Sequence, residues 1–308
     1  MYHLSDYGRM FADRGRTDAY LAALRAAITP GAVVLDLGAG SGFFSLAACA
    51  FGASKVYALD VSEAIDVLPA LAAANGFGDR IVVHRGDAFA YEIPEKVDVI
   101  VSDLRGNLPF CVRSIELIAH ARDRYLKPGG ALLPFRDRLF VAPIEAPVAW
   151  GARVGPYAAP PLGFDMRAAR EGAASEYHND RGHPFQASQL LAPAVEFGSV
   201  DYANVRPAPI RGDARFSFER DGLAHGFALW FDAEIAQGIG YSNAPGEDHV
   251  YGRVFFAWPE PVAVRAGEEV AVALFAQPVQ DDYIRGWTTT FADKVRFRQM
   301  NSVPLPRL

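Results

Sequence analysis

Two short segments of the chain combine residue types that are suited to chemistry. The first, VVLDLGAGSGFF, places Gly38, Gly40 and Gly42 directly after a short apolar run. Glycines at this spacing let the backbone turn tightly from a strand into a helix, and they let a ligand approach the main chain closely. The second, VSDLRGNLPFCV, reads as a buried strand that ends in Asp103 and opens into a loop with glycine and proline. A loop of this kind is expected to cover a reaction site.

A glycine-rich turn alone does not identify its ligand, because nicotinamide-dependent enzymes also use one. Three details favour S-adenosylmethionine: Asp36 lies two residues before Gly38, the third glycine of the dinucleotide pattern is missing, and Asp60 ends the next strand. The Asp60 carboxylate is suited to accept both ribose hydroxyls of the adenosine. After the following strand, Asp87 or the backbone of Ala88 is placed to hold the adenine amino group.

Two of these aspartates also have plain structural interpretations. Asp36 can be a strand-end acid that caps the following helix, and Asp87 can lie in a solvated turn. Asp60 is harder to explain by structure alone, since it ends an apolar strand at the carboxyl edge of the predicted sheet. A nicotinamide-dependent oxidoreductase stays as the alternative to a methyl-donor site.

The elements that position these residues follow from the hydrophobic period. Residues 17–28 show helical spacing, and strand-like and helical segments then alternate up to about Pro134. This alternation predicts a parallel sheet with helices on both faces. Later, residues 214–235 predict two strands about an Asp-Gly turn, and residues 253–278 repeat that pattern. Residues 152–188, between the halves, are rich in Pro, Gly, Ala and polar residues, which predicts an excursion from the core.

The composition describes a globular protein and argues against several functional classes. The chain has 308 residues, 51% of them hydrophobic, and its formal net charge of −6 provides no general basic field for nucleic acid. No apolar run approaches the roughly 20 residues that span a bilayer, and the first residues do not resemble a signal peptide. Cys49 and Cys111 have no metal-ligand spacing, so no metal site is expected. A reducing, bacterial cytoplasm is the expected location.

Several separated strings resemble the protein arginine methyltransferases, and together they extend the resemblance over nearly the full length. MFADRGRT at 10–17 resembles the N-terminal helix that closes over the cofactor in this family. VVLDLGAGSG resembles the first family motif, and VSDLRGN with ARDRYLKPGG resembles the acidic loop and the helix after it. GFDM at 163–166 resembles the dimerisation arm, and GYSNAPGEDHVYGRVFF at 240–256 aligns with the stretch that carries the family's Thr-His-Trp loop.

The resemblance implies an α/β plus all-β architecture. Residues 1–136 are expected to form a Rossmann-like class I methyltransferase domain, and residues 137–308 a β-barrel domain with the arm inserted at about 152–188. The resemblance further implies a head-to-tail homodimer through the arm. S-adenosylmethionine is the expected cofactor, S-adenosylhomocysteine the product, and a peptide or small molecule the acceptor. Neither a nucleic acid nor a membrane is an expected partner.

Roles for individual residues also follow from the resemblance. Arg16 is expected to contact the carboxylate of the donor's methionyl part, and Met10 to pack near the sulfonium. Asp13 and His249 match an acid and a histidine that face each other across the family's active site, so they form a candidate general-base pair beside Asp103. The structural alternatives are an exposed helix arginine for Arg16, a core position for Met10 and an ordinary loop histidine for His249.

The acidic loop departs from the family pattern. Where the family has two glutamates that grip a guanidinium, this chain has Asp103 and Val112. Arg113 would repel a cationic acceptor if it faced inward, and Glu116 is either a substitute acid or a solvated one. The first hypothesis is therefore methyl transfer to a non-standard N, O or C nucleophile on a peptide or natural product. The alternatives are arginine N-methylation with a reduced acidic clamp, and a non-catalytic dimeric homologue that binds S-adenosylmethionine.

Overall fold

A five-stranded parallel sheet forms the centre of the first half of the chain, in a computed structural model that describes residues 3–301. Its strands are β1 (Val33–Leu37), β2 (Lys55–Asp60), β3 (Ile81–Arg85), β4 (Val97–Ser102) and β5 (Leu126–Leu133). Their order across the sheet is β3-β2-β1-β4-β5, and every neighbouring pair runs parallel. The central strands are buried almost throughout, which is typical of a sheet with helices on both faces. The predicted α/β half is confirmed.

Helices cover this sheet and reach over its carboxyl edge. They are α1 (Leu4–Ala12), α2 (Arg14–Ala27), α3 (Phe43–Ala50), α4 (Leu68–Ala74) and α5 (Ser114–Tyr125). Helices α1 and α2 are separated by a single residue, Asp13, whose carboxylate accepts a hydrogen bond from the Arg16 amide at 3.2 Å. Aspartate starts a helix well because it satisfies one of the free amides of the first turn. The N-terminal segment is therefore two helices that meet at an angle.

Two antiparallel sheets make up the second half of the chain, called the β domain below. Their strands are β6 (Arg136–Ile144), β7 (His178–Asn179), β8 (Val195–Asp201), β9 (Ile210–Ser217), β10 (Gly222–Ala236), β11 (Ile239–Ser242), β12 (Val254–Val264), β13 (Glu269–Val279), β14 (Asp282–Phe291) and β15 (Lys294–Met300). One sheet has the order β7-β12-β10-β6-β8, with β11 paired to β10, and the other has the order β15-β14-β13-β9. Aromatic side chains fill the space between the sheets, where Phe256 stacks on Trp287 with ring centroids 3.9 Å apart.

The strands on either side of Asp221 lie in different sheets, which corrects the pairing suggested by the Asp-Gly turn. β9 pairs with β13, whereas β10 pairs with β6 and β12. The two strands predicted within 253–278, β12 and β13, are likewise divided between the sheets. An alternation of apolar and polar residues shows only that one face of a strand is buried. The partner strand is selected by the packing of the two sheets, which a local pattern does not encode.

An excursion from the β domain lies between β6 and β8. It contains α6 (Pro147–Arg153), α7 (Arg167–Ala174) and single 3₁₀ turns at Gly155–Tyr157 and Pro161–Gly163. Leu162 at its tip is 90% exposed and Phe164 is 64% exposed. Within residues 3–301 no helix has both the length and the apolar character that crossing a membrane requires.

Candidate active site

The carboxyl ends of β1 and β4 lie side by side at the centre of the parallel sheet, and a cavity of about 450 Å³ lies outside them. Strand β1 has β2 on one side and β4 on the other, so the order of the strands reverses here. Leu37 pairs with Ser102, and the residues that follow them, Gly38 and Asp103, both line the cavity. Open parallel sheets bind ligands at this point because the diverging loops leave a crevice.

The glycine turn and Asp60 form one end of the cavity. Gly38 and Gly40 have φ angles of +77° and +55°, and a Cβ on Gly40 would lie 2.2 Å from the ring of Tyr7. A larger residue therefore does not fit beneath α1. The Asp60 carboxylate accepts hydrogen bonds from the amides of Gly40 at 2.7 Å and Ser62 at 2.6 Å. These bonds fix the turn while Asp60 stays on the cavity wall.

The predicted cofactor residues divide into those at the cavity wall and those behind it. The first group is Met10, Arg16, Gly38 and Asp60. Among the described residues, the group outside the wall is Asp36, Gly40, Gly42, Asp87 and Ala88. The two outlying glycines still shape the turn, since each has a positive φ and lies against a side chain that a Cβ would overlap.

Asp36 and Asp87 both make hydrogen bonds within the protein, and their roles toward the cofactor stay predictions. Asp36 is buried and accepts a hydrogen bond from the hydroxyl of Ser45 at 2.6 Å, so it ties β1 to α3. Burial raises the pKa of its carboxyl from 3.8 to about 7. Asp87 is exposed and caps its own turn through the Phe89 amide at 2.9 Å. The neighbouring Ala88 is buried behind the wall.

Asp103 lies at the other end of the cavity and is surrounded by hydrogen-bond donors. Its side chain is only 7% exposed. The Tyr20 hydroxyl donates to one oxygen at 3.0 Å, while the other accepts from Arg16 Nε at 2.5 Å and from the Tyr251 hydroxyl. Burial alone would lower the pKa of Arg16, but the facing carboxylate raises it well above the ordinary value. Asp103 and Arg16 therefore form a buried ion pair.

Arg105 joins this end of the cavity to the β domain. Its guanidinium donates to the Tyr241 hydroxyl at 3.0 Å and lies 3.4 Å from the carboxylate of Asp137. Asp137 in turn accepts from the Tyr202 hydroxyl at 2.7 Å. The side chains of Arg105 and Asp137 are at most 1% exposed, so Asp137 depends on Arg105 for compensation, while Arg105 also lies 3.7 Å from Asp103.

The second half of the acidic loop carries Val112 and Arg113. Val112 is 60% exposed and lines the cavity with a φ of +47°. Arg113 binds Glu116 with two hydrogen bonds of 2.8 and 2.9 Å and lies 3.7 Å from Asp281. Glu116 is thus committed to Arg113, and the Arg113 charge is compensated rather than presented alone to an acceptor.

The predicted pair of Asp13 and His249 comes together, with His249 Nε2 3.5 Å from Asp13 Oδ2. Burial lowers the pKa of His249 to about 4, although the nearby Asp13 carboxylate acts to raise it. The ring is therefore neutral at pH 7. Its Nδ1 accepts from the Tyr251 amide at 3.3 Å, which leaves the proton on Nε2. Both residues line a second groove, and only Met10 lies on the walls of both spaces within the described chain.

Sequence reasoning missed the residues that surround Asp103. Tyr20 had an available signal, because it lies four residues after Arg16 and therefore on the same face of α2. Tyr251, Arg105 and Asp137 had none, because their contacts join segments that are far apart in sequence. In the described part of the chain, no three His, Cys, Asp or Glu side chains are grouped to hold a metal ion.

Comparisons with known proteins agree with this geometry. The family model described as Ribosomal protein L11 methyltransferase (PrmA) matches residues 13–132, which is the part that forms α2 and the parallel sheet. Protein arginine N-methyltransferase 6 of Xenopus laevis is 34% identical over 295 residues, covering 89% of this chain and 84% of the relative. The probable protein arginine N-methyltransferase 6 of Arabidopsis thaliana is 30% identical over 252 residues, covering 80% of this chain and 57% of the relative.

Solved structures share the fold over almost the whole chain. The Trypanosoma brucei PRMT1 enzyme-prozyme heterotetrameric complex with AdoHcy superimposes with a TM-score of 0.85 at 21% identity, covering 97% of this chain and 98% of that chain. Arabidopsis thaliana protein arginine methyltransferase 10 gives a TM-score of 0.77 at 24% identity, with 97% of each chain covered. The chain belongs to the protein arginine N-methyltransferase family and is an S-adenosylmethionine-dependent methyltransferase with the fold of that family.

Proposed function

We propose that the protein transfers a methyl group from S-adenosylmethionine to a guanidinium nitrogen of arginine. The observation that carries this proposal is the position of Asp103, a buried carboxylate on the wall of the same cavity as the glycine turn and Asp60. A cavity that joins a donor-binding turn to a carboxylate can hold a methyl donor and a cationic acceptor side by side.

The donor end of the cavity fits S-adenosylmethionine. Its volume of about 450 Å³ lies in the range of small-molecule sites. The glycine turn admits close approach, Asp60 retains lone pairs for the ribose hydroxyls, and Arg16 and Met10 are placed to hold the methionyl part. When bound, the donor supplies a methyl group on a sulfonium, and a nitrogen lone pair displaces the sulfur as S-adenosylhomocysteine.

Asp103 is placed to increase the low nucleophilicity of an arginine side chain. A guanidinium holds its proton tightly and spreads its charge over three nitrogens, so one nitrogen must be made more electron-rich. A carboxylate that bonds one part of the group draws the positive charge toward itself. Arg16, Tyr20 and Tyr251 hold Asp103 rigidly at this end of the cavity, and Asp103 is the group there that can take the proton released.

His249 is better suited to positioning than to proton transfer. The lone pair on its Nδ1 is used by the Tyr251 amide, and its Nε2 proton faces Asp13. Asp13 also accepts from the Val250 amide at 2.9 Å, so the pair joins the start of α2 to the loop that carries Tyr251. The pair thereby holds Tyr251 against Asp103.

The relatives favour arginine over the non-standard acceptor that the loop sequence suggested first. Proteins named as arginine N-methyltransferases match 80% or more of this chain at 30–34% identity. The interpretation of Arg113 as a repulsive charge is also weakened, because Glu116 and Asp281 compensate it. The residues expected to bind the donor are present on the cavity wall, which supports an active enzyme over a non-catalytic homologue.

Incubation with methyl-labelled S-adenosylmethionine and arginine-rich peptides tests the proposal. We expect mass spectrometry to locate the label on arginine side chains, and matched peptides with lysine at those positions to stay unlabelled. Label confined to lysine, to a main-chain or amide nitrogen, or to a small molecule would reject arginine as the acceptor and revive the non-standard one.

A further inference from the structure

The loop between β11 and β12 brings Tyr251 to the end of the cavity that holds Asp103. Tyr251 is only 2% exposed, and it lines the cavity. Its ring stacks on that of His249 with centroids 5.4 Å apart and packs at an angle against Phe231 at 6.0 Å. The ring is therefore fixed by its neighbours, and the hydroxyl lies beside Asp103.

The Tyr251 hydroxyl can both donate and accept a hydrogen bond at this point. It donates its hydrogen to Asp103 Oδ2. Burial raises the pKa of the phenol well above its ordinary value, so the hydroxyl keeps its proton at neutral pH. A phenolic oxygen also has lone pairs that accept hydrogen bonds. Within residues 3–301 no group donates to this oxygen, so it is available to a ligand in the cavity.

Asp103 itself has little room for a direct contact with an acceptor. Its Oδ2 lies 2.5 Å from both Nε and Nη2 of Arg16 and also accepts from Tyr251. Its Oδ1 accepts from the Tyr20 hydroxyl at 3.0 Å and faces Arg105 at 3.7 Å. A carboxylate has about four lone pairs, and these donors use most of them. A group in the cavity therefore reaches Asp103 most readily through the Tyr251 oxygen.

We propose that Tyr251 is a catalytic residue whose hydroxyl relays the proton of the acceptor nitrogen to Asp103. This inference rests on the proposed function. As the nitrogen lone pair forms its bond to the methyl carbon, the carbon–sulfur bond breaks and its electron pair stays on sulfur. The proton of the nitrogen passes to the Tyr251 oxygen, and the hydroxyl proton of Tyr251 passes to Asp103 Oδ2. The tyrosine is thus regenerated, and Asp103 holds the proton until it exchanges with solvent.

The other groups near Asp103 are less suited to this step. His249 lies on the second groove and outside the described wall of the cavity, and its Nδ1 accepts from the Tyr251 amide. Tyr20 is fully buried behind that wall, and its hydroxyl also donates to the Ser102 carbonyl at 3.0 Å. Tyr20 is the matched control, because it gives Asp103 the same kind of hydrogen bond from a position that an acceptor does not reach.

Phenylalanine at position 251 or 20 removes one hydroxyl from Asp103 and keeps the ring. With methyl-labelled S-adenosylmethionine and an arginine peptide, Tyr251→Phe should lower kcat by about 100-fold, which is within the range for proton transfer by a positioned side chain. Tyr20→Phe should lower kcat by less than about tenfold, because it loses only a bond that orients Asp103. Calorimetry with S-adenosylhomocysteine should give both variants an affinity close to that of wild type, which shows that they are folded. Equal losses of kcat would make Tyr251 a mere support of Asp103 and overturn the proposal.

The pH dependence of kcat separates a relay from a support within Tyr251→Phe itself. Without the relay the proton must leave to hydroxide, whose concentration rises about tenfold per pH unit, so the deficit of the variant should shrink between pH 7 and pH 9. Tyr20→Phe should run parallel to wild type. An unfolded fraction would not change the slope, since each variant is compared with itself.

Two results would overturn the role of Tyr251: a deficit of Tyr251→Phe that is the same at every pH, and a Tyr251→Phe protein with the kcat of wild type. A wild-type protein that leaves arginine unlabelled is a different outcome. It would reject the proposed function itself, and this inference with it.

Discussion

At the scale of single residues, the aspartates around the glycine turn have different roles because their surroundings differ. Asp60 lies on the cavity wall and bonds the backbone on both sides, whereas Asp36 is buried against Ser45. Asp36 is the next-to-last residue of an apolar strand and Asp60 the last of another, so the sequence pattern around them is alike. Only the direction of each side chain separates an acid on the cavity wall from an internal one.

Replacing Asp60 by Ala should weaken donor binding strongly. The substitution removes the carboxylate for the ribose and frees the amides of Gly40 and Ser62, and hydrogen bonds to charged groups are worth about 1.5–3 kcal/mol each. The dissociation constant for S-adenosylhomocysteine, measured by calorimetry, should rise by about 100-fold or more. Asp87→Ala is the control and should bind like wild type, because Asp87 is exposed and outside the cavity wall. Retained affinity in Asp60→Ala would remove Asp60 from the donor site.

Replacing Asp36 by Asn should change how stability depends on pH. The folded-state pKa of about 7 lies above the ordinary 3.8, so the folded protein keeps a proton that the unfolded chain loses between these values. The stability that Asp36 contributes is fully present below about pH 4 and is lost as the pH rises through 7, a difference on the order of 3–5 kcal/mol. Asparagine retains an acceptor for Ser45 and removes the titration.

Urea unfolding at several pH values between 5 and 8 would check this expectation. The wild-type free energy of unfolding should fall relative to that of Asp36→Asn as the pH rises. Parallel curves for the two proteins would show that Asp36 ionises normally in the folded state.

At the scale of elements, the acidic loop is held from both sides by the β domain. Arg105 attaches its first half to Asp137 on β6, and the β13–β14 hairpin attaches its second half through Asp282. The loop that carries Tyr251 adds a third contact at Asp103. The end of the cavity that holds Asp103 is therefore built jointly by the parallel sheet and the β domain.

Replacing Asp137 by Ala should destabilise the protein strongly and loosen the acidic loop. It removes the nearer of the two carboxylates that face the buried Arg105 and leaves Asp103 at 3.7 Å, and removal of one member of a buried pair costs about 3–5 kcal/mol. The loss should appear in the free energy of unfolding from urea titration. Arg138→Gln on the same strand is the control, because its pair with Glu196 is half exposed and should contribute less than about 1 kcal/mol. Equal effects of the two substitutions would contradict a special role for the Arg105–Asp137 pair.

At the scale of the whole molecule, the excursion between β6 and β8 presents an apolar tip that its own chain leaves exposed. Leu162 and Phe164 are 90% and 64% exposed, and they belong to the segment whose sequence resembles the family's dimerisation arm. Large exposed apolar side chains on a projecting segment mark an interaction surface. We propose that this tip binds a second copy of the chain in a homodimer.

The double substitution Leu162→Asp and Phe164→Asp should convert a dimer into a monomer. Two charges at an apolar interface remain without solvent or partners on association, which disfavours the complex. Light scattering after gel filtration would measure the mass, and we expect about twice the 33.4 kDa chain mass for wild type. Val148→Asp, at an exposed position on α6 before the tip, is the control. A monomeric wild-type protein, or a variant that stays dimeric, would reject the arm as the interface.

The sequence by itself determined the parallel sheet, the β-rich second half, the glycine turn and the identity of the methyl donor. Each of these features is encoded in a short stretch of sequence, through the periodicity of apolar residues, through helix caps and through glycines that accept positive φ angles. Helical spacing could also have identified Tyr20 beside Arg16.

Only the tertiary structure decided which strands pair in the β domain and which groups surround Asp103. Tyr251 lies 148 positions from Asp103, and Asp282 lies 170 positions from Val112. Contacts at such separations arise from the packing of whole sheets against each other, and no local pattern reports them. The loss of an acid at Val112 is visible in the sequence, whereas the carboxylate that lies behind Val112 becomes visible only when the chain is folded.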